Sequence, residues 1–175
     1  MPSGTWKLDP THSELTFSVK HLMISKVKGV FKDFDVTVVT AENPADSKVE
    51  ATVQVASVDT KQKDRDQHLL AGDFFLADEH PEVTFTSTTI DANGEDFTIA
   101  GDLTLRGVTK PVTLTGEFGG VATDPYGQTK AGATASTVIN RQDFGVSFNQ
   151  VLETGGFALG DDIKVEIDLQ VVLQP

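Results

Sequence analysis

Apolar and polar residues alternate along most of this chain, and the period of two is that of a strand with one buried and one wet face. Leu15, Phe17 and Val19 face away from Thr16, Ser18 and Lys20, with His21 falling on the apolar side. The pattern returns in Phe34, Val36 and Val38, in Val49, Ala51, Val53 and Val55, and in Val83 and Phe85 ahead of Ser87. It continues through Phe97, Ile99, Leu103 and Leu105 with Gly101 in phase, and through Val112, Leu114 and Phe118 with Gly116 in phase. Ala131, Ala133 and Ala135 share a face ahead of Thr137 and Ile139, and the last run places Ile163, Val165, Ile167, Leu169, Val171 and Leu173 together. One apolar and one polar face per strand predict an antiparallel sheet with its outer wall in water, because parallel sheets under crossover helices are apolar on both faces.

Turn chemistry separates the runs at Asn43-Pro44-Ala45-Asp46, Asp91-Ala92-Asn93-Gly94, Asp124-Pro125-Tyr126-Gly127 and Gly155-Gly156. Asn93-Gly94 is the sharpest hairpin signal and predicts a type I′ turn. Two stretches break the alternation. Thr60 to Gly72 reads as a short helix capped by Thr60 and ended by Gly72, lying over a barrel mouth or along its side. The apolar Leu22, Met23 and Ile24 predict an irregular or helical excursion around Met23 to Val27.

Composition reinforces the all-β reading: the 175 residues include 20 Val, 21 Thr and 11 Phe. No linker or repeat divides the chain, so residues 1–175 are read as one domain. A net charge of −12 disfavours nucleic acid and anionic surfaces as partners. No apolar run reaches the length of a membrane span, which predicts no stable membrane insertion. The absence of cysteine removes disulfides, thiol nucleophiles and thiolate metal sites. The first six residues carry neither a basic start nor an apolar run, so the expected location is the cytoplasm, or the periplasm or cell exterior had a leader been trimmed.

Committed reaction chemistry is hard to find. The four histidines, His12, His21, His68 and His80, form no paired metal motif, and neither a nucleophile elbow nor a phosphate-binding glycine loop occurs. His12 and Asp9 are expected to tie a turn before the second strand. Asp64 and His68, four apart, form a candidate surface pair on the helix, while Arg65 or Asp66 is a candidate clamp to a strand end. Lys20, Lys26, Lys28 and Lys32 form the densest basic cluster and serve either to receive an acidic headgroup at one rim or to balance an acidic surface.

An eight-stranded closed sheet has an interior that side chains can fill or a ligand can occupy. Ala131, Ala133, Ala135, Gly101 and Gly116 on the apolar face are expected to leave volume there, with tight packing against large neighbours as the alternative.

The order and spacing of several segments resemble the YceI-like family of polyisoprenoid-binding, lipocalin-like proteins, from about Thr5 to Leu173. The resemblance runs through Asp9-Pro10-Thr11-His12-Ser13, Leu15-Thr16-Phe17-Ser18-Val19-Lys20-His21 and Gly29-Val30-Phe31-Lys32-Asp33-Phe34-Asp35. It continues through Ser57-Val58-Asp59-Thr60, Arg65-Asp66-Gln67-His68-Leu69, Gly72-Asp73-Phe74-Phe75, His80-Pro81 and Phe85. It closes on Gly101 to Val112 and on Ile139-Asn140-Arg141-Gln142-Asp143-Phe144-Gly145. The resemblance implies an elongated antiparallel eight-stranded lipocalin-like barrel with one short attached helix, a bound isoprenoid lipid or isoprenoid quinone with no required cofactor, and a homodimer.

Taken together, the expectation is a non-enzymatic protein that binds, carries or sequesters a long isoprenoid chain. Strand parity nominates Phe17, Val19, Phe85, Ile99, Leu103, Leu114 and Ile167 as its lining, with His21 and Arg65 as polar contacts near the mouth. His21 has a structural alternative, a hydrogen bond that closes its strand. The alternative function is a structural or stress-associated protein-interaction module with a filled barrel; an enzymatic or metal-dependent activity lacks its motifs.

Overall fold

The computed structural model describes residues 1–153 and 156–175, so the Gly155 half of the expected Gly155-Gly156 turn lies outside the described residues. Eleven strands are described: β1 (Gly4–Leu8), β2 (Glu14–His21), β3 (Ser25–Phe31), β4 (Phe34–Thr40), β5 (Lys48–Gln54), β6 (Val58–Asp59), β7 (Glu82–Asn93), β8 (Asp96–Leu105), β9 (Val108–Thr123), β10 (Thr129–Asn140) and β11 (Leu159–Leu173). Helix α1 spans Lys63–Leu70. Eight strands close into an antiparallel ring in the order β1-β4-β5-β7-β8-β9-β10-β11 and back to β1, and β2, β3 and β6 continue the sheet from β11. The protein is therefore an elongated all-β barrel with one short helix.

Closure depends on β11 serving two partners. Its end pairs with β1 (Trp6↔Leu173, Leu8↔Val171), while its first two thirds pair with β2 (Ile163↔Val19, Asp168↔Glu14). Between those partners the chain makes a 3-10 turn over Pro10–His12. Gln170 of β11 spans the interruption: its carbonyl accepts from Asp9 N at 2.8 Å and its N–H donates to Ser13 Oγ at 2.9 Å. Both backbone groups of Gln170 are thus paired across the break, as a buried sheet edge requires.

The expected Asp9–His12 tie is present at 2.9 Å, and the same carboxylate accepts from Lys130 Nζ at 2.9 Å and from Thr11 N at 3.1 Å. The Lys130 hydrogen bond is the main cause, with His12 and Thr11 adding to it against burial, of an Asp9 pKa lowered to about 2. Lys130 opens β10, so this ion pair fastens the β1–β2 junction to the ring.

Two packed clusters lie towards opposite ends of β11. One holds Trp6, Ala131 and Val171 with Val38, Phe118, Leu169 and Leu173 against them. Trp6 is fully buried and its indole Nε1 donates to Thr40 Oγ1 at 3.0 Å, so the ring's polar edge is satisfied. The other cluster holds Phe74, Leu103, Phe144 and Val146.

Four local expectations are corrected. The β7–β8 turn centres on Gly94-Glu95, since Asn93 pairs with Asp96; only Gly94 (φ 64°) is left-handed, the pattern of a type II′ rather than a type I′ turn. Leu22 to Ile24 is no excursion but the tight loop of the β2–β3 hairpin, with Leu22 (φ 53°) and Met23 (φ 62°) supplying the left-handed residues that hairpin twist demands. Gln62, not Thr60, caps α1, its Oε1 accepting from Arg65 N at 2.7 Å. The helix ends at Leu70 rather than Gly72, because further turns follow directly and the left-handed position falls at Leu76 (φ 50°).

A lowered carboxylate pKa adds stability above the unfolded value near 4 and loses it as the pH falls through the folded value near 2. With Asp9 only 12% exposed, its contribution at neutral pH is about 2 kcal/mol. Thermal melts of Asp9→Asn should therefore lie below the parent at pH 7 and converge with it between about pH 4 and pH 2; parallel curves would remove Asp9 from the closure.

Candidate functional site

Inside the ring lies a cavity of about 830 Å³, in the size range of small-molecule sites. It runs from Thr40, Pro44 and Gly94 at the Trp6 end to His21, Arg65 and Gln150 at the other. Its walls are the inward faces of the strands: Leu15, Phe17 and Val19 of β2, Ile99 of β8, Leu114 of β9, Ala133 and Ala135 of β10, Val165 and Ile167 of β11. These middle residues are only partly buried although they point inward, since the space beside them is empty.

All nine residues nominated from the sequence border this cavity. Val19, Ile99, Leu114 and Ile167 face its middle, Phe17 lies on the β2 wall, and Leu103 and Phe85 belong to or pack on the Phe144 cluster. His21 and Arg65 stand at one end, on β2 and α1.

The expected origin of the space is corrected. Gly29, Gly101 and Gly116 are not gaps, for a phenylalanine ring covers each. Phe17 is in register with Gly29 and Phe97 with Gly116, while the Phe85 ring lies over Gly101. A Cβ on Gly29 would come within 2.5 Å of the Phe17 ring, and one on Gly101 would meet Phe85 equally closely. The glycines let these rings lie flat on the wall instead of crossing the bore, an arrangement also used to shelter strand glycines. The volume comes from the flattened rings together with Ala133 and Ala135.

The end of the cavity near His21 is built from α1 and two loops. Thr60, buried just after β6, holds the helix: its N–H and hydroxyl donate to Asp66 Oδ1 at 2.9 and 2.5 Å, and its Oγ1 and carbonyl accept from Arg65 Nε and Nη2, both at 2.8 Å. The clamp expected from Arg65 or Asp66 is thus made by both, through hydrogen bonds rather than an ion pair. Arg65 is thereby fixed in place with Nη1 not committed to Thr60. His68 pairs with Asp73 at 2.7 Å instead of Asp64, because the turns after the helix bring Asp73 back beneath it. The His68 ring stands edge-on to Phe74 and Phe148, with centroids 5.0 and 5.1 Å away. Arg106 Nη1 donates to the carbonyls of Gly72 and Phe74 at 2.5 and 2.7 Å, fastening the same segment to the β8–β9 turn.

Arg141 was legible only as part of a motif, and the structure gives it a task. It is 5% exposed, and it donates to the carbonyls of Val146 (2.7 Å), Phe148 (2.9 Å) and Gly160 (2.9 Å). Burial pushes its pKa below the ordinary value, with Asp161, 3.6 Å away, opposing that shift. One buried cation thus shapes the loop that carries Phe148 and Gln150 to the cavity.

The barrel is closed and antiparallel, and its interior is hollow and apolar. The chain belongs to the YceI-like family, whose domain model matches residues 6–171. It is 44% identical over 160 residues to a UPF0312 protein of Staphylococcus aureus, a match covering 90% of this chain and 91% of that one. Among solved structures, a Campylobacter jejuni YceI protein has 34% identity and a TM-score of 0.74, covering 89% of this chain and 90% of the other. A polyisoprenoid-binding domain from Saccharophagus degradans shares the fold at 16% identity and a TM-score of 0.74, covering 97% and 98%. Burkholderia cenocepacia BcnA does so at 24% and 0.79, covering 93% and 98%. Family and fold are those of a closed barrel with an apolar interior.

If Gly29 exists to receive the Phe17 ring, Gly29→Ala should destabilise the protein by about 1–3 kcal/mol, the usual cost of overpacking. Adding Phe17→Leu should recover part of that loss. Chemical denaturation of the four members of this cycle measures the coupling, and additive costs would show that the ring and the glycine are independent.

Proposed function

We propose that this protein is a non-enzymatic carrier that sequesters a long isoprenoid lipid or isoprenoid quinone along the bore of its barrel. The observation that carries this reading is the unfilled apolar interior: side chains pointing inward from β2, β8, β9, β10 and β11 keep accessible surface around about 830 Å³. Leaving such surface uncovered forgoes packing that a small domain ordinarily uses, whereas a guest restores it. Each buried CH₂ contributes about 0.8 kcal/mol, so a branched chain of several isoprene units supplies ample gross affinity before ordering costs.

The elongated lining suits a chain, and its two ends differ in charge: His21, Arg65 and His68 border one, Glu95 and Asp96 the other, so an anionic or carbonyl head is better met at the first. In this reading the apolar tail runs toward Trp6 and the polar head meets Arg65 Nη1 and the imidazoles. The fold shared with the Saccharophagus polyisoprenoid-binding domain is in keeping with it. A filled-barrel interaction module has no use for the open bore.

Mass spectrometry of organic extracts from freshly purified protein, run against blanks, should recover a prenyl-chain lipid. Ala133→Phe, on the inward face of β10, should lower uptake of an added long-chain isoprenoid quinone by roughly tenfold or more while the fold survives. Empty extracts together with no quinone uptake by the parent would overturn the proposal.

A further inference from the structure

The bore accounts for the inward-facing residues of β2 and β3 but not for the tip that joins them. Leu22, Met23 and Ile24 project into solvent there, Met23 at 67% and Ile24 at 84% exposure. They are not alone. Leu22 N donates to Ala158 O at 2.7 Å, Met23 lies over Gly156, and the exposed Val151 and Phe157 pair across a β-bridge beside them. Five exposed apolar residues are therefore gathered on neighbouring segments at the His21 end of the cavity rather than scattered over the surface.

Two further features of the hairpin are unfavourable in water. Its left-handed positions are filled by Leu22 and Met23, where asparagine or glycine would fit without strain. Its outer face places Lys20 directly opposite Lys26, with Lys28 next along β3, and like charges so paired repel. Between Phe17 and Phe31 the chain holds these three lysines and no acid, within a molecule of net charge −12. The acids nearest in register, Asp161 and Asp162 of β11, lie beside Arg141 and opposite Asn140.

An apolar layer behind a negative surface relieves both the exposed tip and the lysine repulsion. We propose that the β2–β3 tip docks peripherally on an anionic lipid bilayer, with Leu22, Met23 and Ile24 entering the headgroup boundary and Lys20, Lys26 and Lys28 meeting lipid phosphates. The rest of the acidic surface is repelled by the same bilayer, so docking is oriented, with the His21 end of the cavity against the membrane. The whole-chain charge that argues against anionic surfaces thus selects the one rim able to approach them. The contact is shallow and reversible, as three apolar residues and three cations can support, and involves no spanning segment. It rests on the hairpin rather than on the identity of the guest.

Co-sedimentation of the full chain with phosphatidylglycerol–phosphatidylcholine vesicles, against pure phosphatidylcholine vesicles, tests it. The parent should bind the anionic vesicles and weaken as salt rises from about 0.05 to about 0.3 M. Met23→Asp/Ile24→Asp should lower binding roughly tenfold or more; aspartate tolerates the left-handed backbone, and an unchanged melt verifies folding. Lys26→Glu/Lys28→Glu should erase the preference for anionic vesicles. A parent that stays in the supernatant, or a Met23→Asp/Ile24→Asp protein that binds as tightly as the parent, overturns the proposal. So does a tip-dependent dimer in sedimentation velocity without vesicle binding, which assigns the patch to a second copy of the chain. Lipid extraction from the same variants separates loss of docking from loss of the carrier activity.

Discussion

The bore of a closed sheet is set by its backbone, and the rest of this structure follows from that constraint. Once eight strands hydrogen-bond in a ring, strand number and stagger fix the diameter, and side chains either fill the interior or leave it open. Here the ring closes because β11 pairs with β1 at its end and β2 along the rest, with Gln170 bridging the interruption. Packing is concentrated near the Trp6 and Phe144 clusters. Between them the wall carries alanines and flattened phenylalanine rings, which cannot reach across.

The alternation made the strands and their inward faces readable, because a period of two assigns a face to every residue once one face is known to be apolar. It made the lining readable for the same reason, and Val19, Ile99, Leu114 and Ile167 stand on the cavity wall. What it did not reveal is how glycine and phenylalanine share the wall. Gly101 and Gly116 look like missing side chains in a one-dimensional pattern, whereas register places Phe97 opposite Gly116 and folds Phe85 over Gly101. Cross-strand pairing joins residues tens of positions apart, and no local signal encodes it.

The helix and loops around the His21 end were less legible for a related reason. Their geometry comes from polar side chains binding backbone groups far along the chain: Arg106 reaches Gly72 and Phe74, and Arg141 reaches Gly160. Asp73 meets His68 only because the turn after α1 carries it back beneath the helix. Thr60 looked like a helix cap because threonine often is one, yet its hydroxyl is engaged by Asp66 and Arg65, and Gln62 satisfies the free amide instead. Thr60 and Asp73 are thus taken by side-chain partners five or six residues away, in bonds that an ionised group strengthens.

The two ends of the bore are held by different chemistry, and that difference bears on where the barrel yields. At the Trp6 end the junction between β1 and β2 relies on a carboxylate, Asp9, whose hold on Lys130 fails when it is protonated. At the His21 end Val146, Phe148 and Gly160 are gathered by the guanidinium of Arg141 on their neutral carbonyls, a contact that acid leaves intact. The Asp9–Lys130 pair therefore holds the Trp6 end until the pH falls to about 2, while the Arg141 contacts at the His21 end persist below it.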